Sequence, residues 1–237
     1  ISLIWAVDDS EKVKKEDLNN PLATSVNNEV WDGQNIEIFG ARNEIIAFQL
    51  ILQSGSAGAS NVNVSIPSLS SGSYSIDNNQ AQNLSDPYNY VGKRIELFTE
   101  HYLNIDVRTG KCMMGAWGYS GIQGNYSGWV PDALIPFQAA SGKGGAPFSI
   151  DPNSNQGVWV DIYIPKDAPP GIYNGEIKVT QNSAIVSTIP ISLQVYNFAL
   201  PDETHLKNYF WWGGYEDNFV GRFGVTYRSA AYFPVEA

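Results

Sequence analysis

The residues of this sequence best equipped for chemistry are aromatic rather than ionic. Trp117, Tyr119, Tyr126 and Trp129 stand close together on a glycine-rich frame that also carries Gln123 and Asn125. Sugar rings present apolar C–H faces that stack on indole and phenol rings, while their hydroxyls need amide or carboxylate partners. The stretch supplies both. The same mixture recurs at Tyr209-Phe210-Trp211-Trp212, followed by Glu216 and Asn218. Trp117, Tyr119, Tyr126, Trp129, Trp211, Trp212 and Glu216 are therefore the candidate carbohydrate contacts. The competing reading is packing: the first cluster covers one end of a β-sandwich, and the second buries against a further domain. Trp5, Trp31 and Trp159 fall in or near strand patterns and read as core residues.

Acid–base chemistry has less to stand on. Glycosidases set two carboxyl groups about 5 Å apart when they retain configuration and about 6.5–9.5 Å apart when they invert it. The adjacent pairs Asp8-Asp9 and Glu216-Asp217 establish neither spacing, and both read as solvated turn or cap residues. His101 and His205 have no partners at ligand spacing, and the Gly118-Tyr119-Ser120-Gly121 run breaks the nucleophile-elbow pattern. No catalytic residue and no metal ligand is assigned. No cofactor is called for, although the Asp77-Asn78-Asn79 and Asp151–Asn155 loops carry the oxygen ligands that calcium takes. Turn chemistry explains those loops equally well.

The elements that must position these residues read as strands. In Gln156–Val179, Val158, Val160, Ile162 and Ile164 share one face at period two, with Trp159, Asp161 and Tyr163 on the other. Asp167-Ala168-Pro169-Pro170-Gly171 then breaks the ladder, and Tyr173, Ile177 and Val179 resume it, which predicts a hairpin. Ile189, Ile191, Leu193 and Val195 alternate inward along the last clear strand, and the outward Pro190 predicts an edge position. Ile162 and Leu193 are expected to be fully buried. Further strands are expected at 2–7, 35–39, 46–52, 61–66 and 94–105, and one or two helical turns after Asp8-Asp9-Ser10. From Arg108 to Ile150 the period is lost, which predicts a long irregular loop. Leu200-Pro201 marks a boundary. The expected fold is an all-β, antiparallel two-sheet sandwich over residues 1–200. Residues 201–237 read as a linker and the start of a further domain, or as a C-terminal appendage.

Composition narrows the class. The chain has 237 residues, 16% of them charged and 13% aromatic, with 22 glycines and 13 prolines. Few charges and many turn residues suit a secreted or cell-surface β protein. A formal net charge of −10 argues against nucleic acid as a partner, since phosphates demand a basic face. No apolar run approaches the roughly 20 residues of a membrane helix. Cys112 is the single cysteine, so no internal disulfide forms.

Four phrases stand in a recognisable order: Ala41–Leu52, Pro131–Phe137, Gln156–Val179 and Ile191–Pro201. Together they resemble the N-terminal β-sandwich domain of glycoside hydrolase family 123 and its uncharacterised relatives. The resemblance implies a parent enzyme that cleaves β-linked N-acetylhexosamine, chiefly N-acetylgalactosamine, by an Asp-Glu pair in a (β/α)₈ barrel that follows the sandwich. Such a barrel takes about 250 residues, so the pair has no counterpart here. The expectation is a non-catalytic accessory sandwich of a secreted glycoside hydrolase, whose partners are a glycan and the catalytic barrel of the same parent chain. A stand-alone carbohydrate-binding module and a structural or adhesive cell-surface domain are the alternatives.

Overall fold

The computed structural model describes residues 1–24, 28–79, 93–105, 127–140, 142–203 and 205. The chain divides into two compact units, Ile1–Leu200 and Pro201–Ala237. The first is a sandwich of two sheets, in keeping with the all-β expectation. One sheet runs, in spatial order, β1 (Leu3–Asp8), β3 (Glu44–Gln53), β10 (Asn155–Ile164), β7 (Ile95–Ile105) and β8 (Gly128–Pro136). The other runs β2 (Ile36–Arg42), β12 (Ala184–Ala199), β11 (Gly171–Gln181), β4 (Ala59–Ser65) and β9 (Phe148–Ile150). The small hairpin of β5 (Ser68–Ser71) and β6 (Tyr74–Asp77) joins that sheet through β11. Pairing is antiparallel except between β2 and β12, which run parallel. Among the described residues, no helix is long and apolar enough to cross a membrane.

The period-two faces form the core. Val158, Val160, Ile162 and Ile164 of β10 are fully buried, as are Tyr173, Ile177 and Val179 of β11 and Leu193 and Val195 of β12. The opposite face of β10, with Trp159, Asp161 and Tyr163, is half-buried. Trp5 and Trp31 are core residues, and Trp159 donates its indole N–H to Asp161 at 2.7 Å.

Three local expectations are corrected. First, β10 and β11 do not pair. The Asp167–Gly171 turn carries the chain from one sheet to the other, and β10 pairs instead with β3 and β7. The true hairpin is β11–β12, closed by Asn182 and Ser183, whose φ angles of 50° and 66° match the twist of the strands they join. Second, β12 is interior to its sheet, although β2 joins only from Ile191, which leaves Pro190 without a partner on that side. Third, the 9–18 segment forms no helix. Its carbonyls are taken by side chains from elsewhere: Gln49 donates to Asp8 and Glu11, and Asn155 donates to Lys14 and Asp17. Tertiary hydrogen bonds thus replace the helical ladder, and Val13 anchors the segment as its buried residue. Asn155→Ala leaves two of these carbonyls without their donor and is expected to lower stability by about 1–2 kcal/mol in chemical denaturation.

Strands also arise where the sequence showed no period. β8 and β9 lie inside the Arg108–Ile150 stretch read as loop. β8 edges its sheet and is largely exposed, so burial imposes little alternation on it. On the outer face of the other sheet, Phe39, Tyr196 and Phe198 form an exposed aromatic row with centroid spacings of 5.8 and 6.1 Å.

Candidate functional site

The candidate site grows from the pairing of β7 with β10 and β8. Thr99 lies opposite Val158, so Glu100 falls on the other face, beside Gly157. The register with β8 shifts between Glu100 and Tyr102: one β7 residue faces two β8 residues, Asp132 and Ala133. A bulge of this kind bends the edge strand and re-aims side chains. Gly157 is required here, because a Cβ at that position would collide with the Glu100 carboxylate. The Gly157 N–H donates to the Tyr102 hydroxyl at 3.1 Å, and Gln156 donates its side-chain amide to the Glu100 carbonyl at 2.8 Å.

Glu100 is only 3% exposed, and neither carboxyl oxygen has a hydrogen-bond partner among the described residues. Burial disfavours the charged form and pushes its pKa up to about 7, with the Lys12 ammonium pulling the other way. Burial also raises the Tyr102 phenol, with the Glu100 charge adding to the effect.

Trp129, on β8, is the sequence-named contact that the structure describes. Its backbone N–H donates to the Glu16 carboxylate at 3.2 Å, and its carbonyl accepts from the Lys15 N–H at 3.0 Å. Lys15 Nζ stands 5.2 Å from the ring centroid and pairs with Asp151 at 2.5 Å. Trp129 is 42% exposed. Trp117, Tyr119, Tyr126, Trp211, Trp212 and Glu216 lie outside the described residues.

Lys15, Glu100, His101, Tyr102, Trp129 and Gln156 border one cavity of about 770 Å³. The connection from β8 to β9 closes another side of it. That connection folds back tightly: Ala146 N–H donates to the Phe137 carbonyl at 3.1 Å, and a Cβ on Gly145 would stand 2.6 Å from the same oxygen. The cavity is within the usual size of small-molecule sites. It offers an aromatic surface, amide and imidazole hydrogen-bonding groups and an ammonium.

The sequence did not single out Glu100, Lys15 or Gln156. A glutamate alternating with threonine in a strand reads as a solvated outward residue, and Gly157, placed within an apolar run, was the available hint that something approaches closely. His101 is exposed at the cavity rim. Among the described residues, no group of three or more His, Cys, Asp or Glu gathers at metal-binding distance. Asp77 accepts from the Asn79 N–H, and Asn78 bridges both backbone groups of Ile95.

Residues 130–181 match the family model of the glycoside hydrolase 123 N-terminal domain. That stretch runs from β8 to the end of β11 and includes the crossing between the sheets. Among solved structures, a family 123 glycoside hydrolase from Clostridium perfringens, described for glycolipid glycan hydrolysis, superposes with a TM-score of 0.52 at 17% identity. The alignment covers 84% of this chain and 28% of that one, so this chain spans little more than a quarter of that enzyme's length. At that identity the likeness is one of fold. AvmM, which catalyses macrocyclization in alchivemycin A biosynthesis, aligns with a TM-score of 0.34 at 9% identity over 73% of this chain and 89% of its own. The N-terminal domain of PorA gives 0.30 at 7% identity, over 83% and 99%. No curated protein matches the chain. In the sequence of β8–β11 and in the fold of its sandwich, the chain resembles the glycoside hydrolase 123 N-terminal domain.

Proposed function

We propose that this chain is the non-catalytic accessory β-sandwich of a secreted glycoside hydrolase that acts on β-linked N-acetylhexosamine glycans, and that its partner is the catalytic barrel of the same parent chain. The observation that carries this reading is the family match over residues 130–181, which runs from β8 to the end of β11 and includes the crossing between the two sheets.

The test has two arms. The purified chain, incubated with aryl β-N-acetylgalactosaminide and β-N-acetylglucosaminide, is expected to release no chromophore. The native gene product, sized by immunoblot and assayed after purification, is expected to be at least about twice as long, as a barrel of about 250 residues requires, and to release it. Hydrolysis by the chain itself, or a long native product inert on both substrates, overturns the reading.

A further inference from the structure

The cavity beside β7 and β8 brings together features that a merely structural domain does not need. Trp129, in an edge strand, is 42% exposed, while its backbone is fixed on both sides by Lys15 and Glu16. The platform is therefore held in place before any ligand arrives, which lowers the ordering cost of binding. Gln156 and His101 line the same cavity and add hydrogen-bonding groups.

From this geometry we infer that the cavity bordered by Trp129, His101 and Gln156 is a carbohydrate subsite of the sandwich itself, taking a single sugar unit. The sugar's C–H face stacks on Trp129, and its hydroxyls hydrogen-bond to Gln156 and His101. An unbroken aromatic wall for a purely apolar ligand is absent because polar side chains interrupt it. The inference rests on the accessory-domain reading only for the choice of sugars to try. Binding is weak, with a Kd of about a millimolar for one unit, because little area is covered and hydroxyls must shed water.

The test is an NMR titration of the full chain with the methyl β-glycosides of N-acetylgalactosamine, N-acetylglucosamine and galactose. Indole N–H resonances are followed, and that of Trp129 is assigned through Trp129→Phe. At least one glycoside is expected to shift the Trp129 signal saturably. Trp129→Ala is expected to weaken binding by about tenfold or more, with Trp129→Phe intermediate. Phe198→Ala, on the exposed aromatic row of the other sheet, is expected to bind as wild type does. Far-UV circular dichroism checks that each variant is folded. The inference is overturned if none of the three glycosides binds. It is equally overturned if Trp129→Ala binds undiminished or if Phe198→Ala abolishes binding. These results leave the accessory-domain reading intact, since that reading stands or falls on hydrolysis by the long native product.

Discussion

Leu193→Ala is expected to destabilise the sandwich by about 2–5 kcal/mol, and Ile162→Ala by a similar amount. Leu193 has no exposed surface and sits in a strand with neighbours on both sides, opposite Tyr173 of β11 and Ile38 of β2. Ile162 is likewise sealed, between Ile46 of β3 and Ile95 of β7. Each truncation removes about three methylene-sized groups from a fully packed layer, so lost transfer free energy and the cavity left behind add together. The flanking strands are tied by ladder hydrogen bonds and cannot collapse inward far enough to fill the void. Ile172 gives the control: it neighbours Tyr173 on the opposite face of β11 and is 54% exposed, so its truncation is expected to cost under about 0.5 kcal/mol. Denaturant midpoints at constant slope measure all three. A loss of less than about 1 kcal/mol for either core variant means that the face or the register is wrong.

The same residues show what was legible in the sequence. Where a strand is buried on one face and half-buried on the other, as in β10, β11 and β12, composition alternates with period two and the inward set can be named in advance. The pattern reports each strand's faces but not its neighbours. For that reason the Pro-Pro turn after β10 looked like a hairpin turn, although it carries the chain across to the other sheet. β8 escaped notice because it lies at an edge and most of its side chains are exposed. The 9–18 segment has helical composition, but its backbone partners, Gln49 and Asn155, come from remote strands and leave no local trace. The candidate site divides along the same line. Trp129 stood out because an aromatic in a glycine-rich stretch is a local signal. Glu100 did not, because what makes it unusual is the absent side chain of Gly157 on the adjacent strand and the bulge in the next one.

Glu100→Gln is expected to stabilise the chain at pH 8 relative to wild type, and the gain is expected to vanish near pH 4. In the folded state the carboxyl titrates at about 7, against an ordinary value of 4.5, chiefly because burial penalises its charge. A carboxyl whose folded pKa is raised holds its proton more tightly in the native state. Its favourable contribution is therefore complete below about pH 4.5, declines as pH rises, and is gone once pH passes about 7. A shift of this size corresponds to about 3 kcal/mol across that window. Glutamine has nearly the same shape and no charge to bury, so it lacks this loss. Glu96 and Asp161 are also raised by burial, and their titration tilts the stability of both proteins in the same direction. The difference between variant and wild type cancels their share and isolates Glu100. Urea midpoints measured from pH 4 to pH 8 give that difference directly. It is expected to stay flat near pH 4, climb between about pH 4.5 and 7, and level off above. A difference independent of pH means that the ionised carboxylate has a partner or water of its own, and that burial does not set its titration. A difference of opposite slope means that Lys12, rather than burial, governs the charge. In that case Lys12→Met is expected to raise the Glu100 pKa by carboxyl-carbon NMR and to restore the predicted direction.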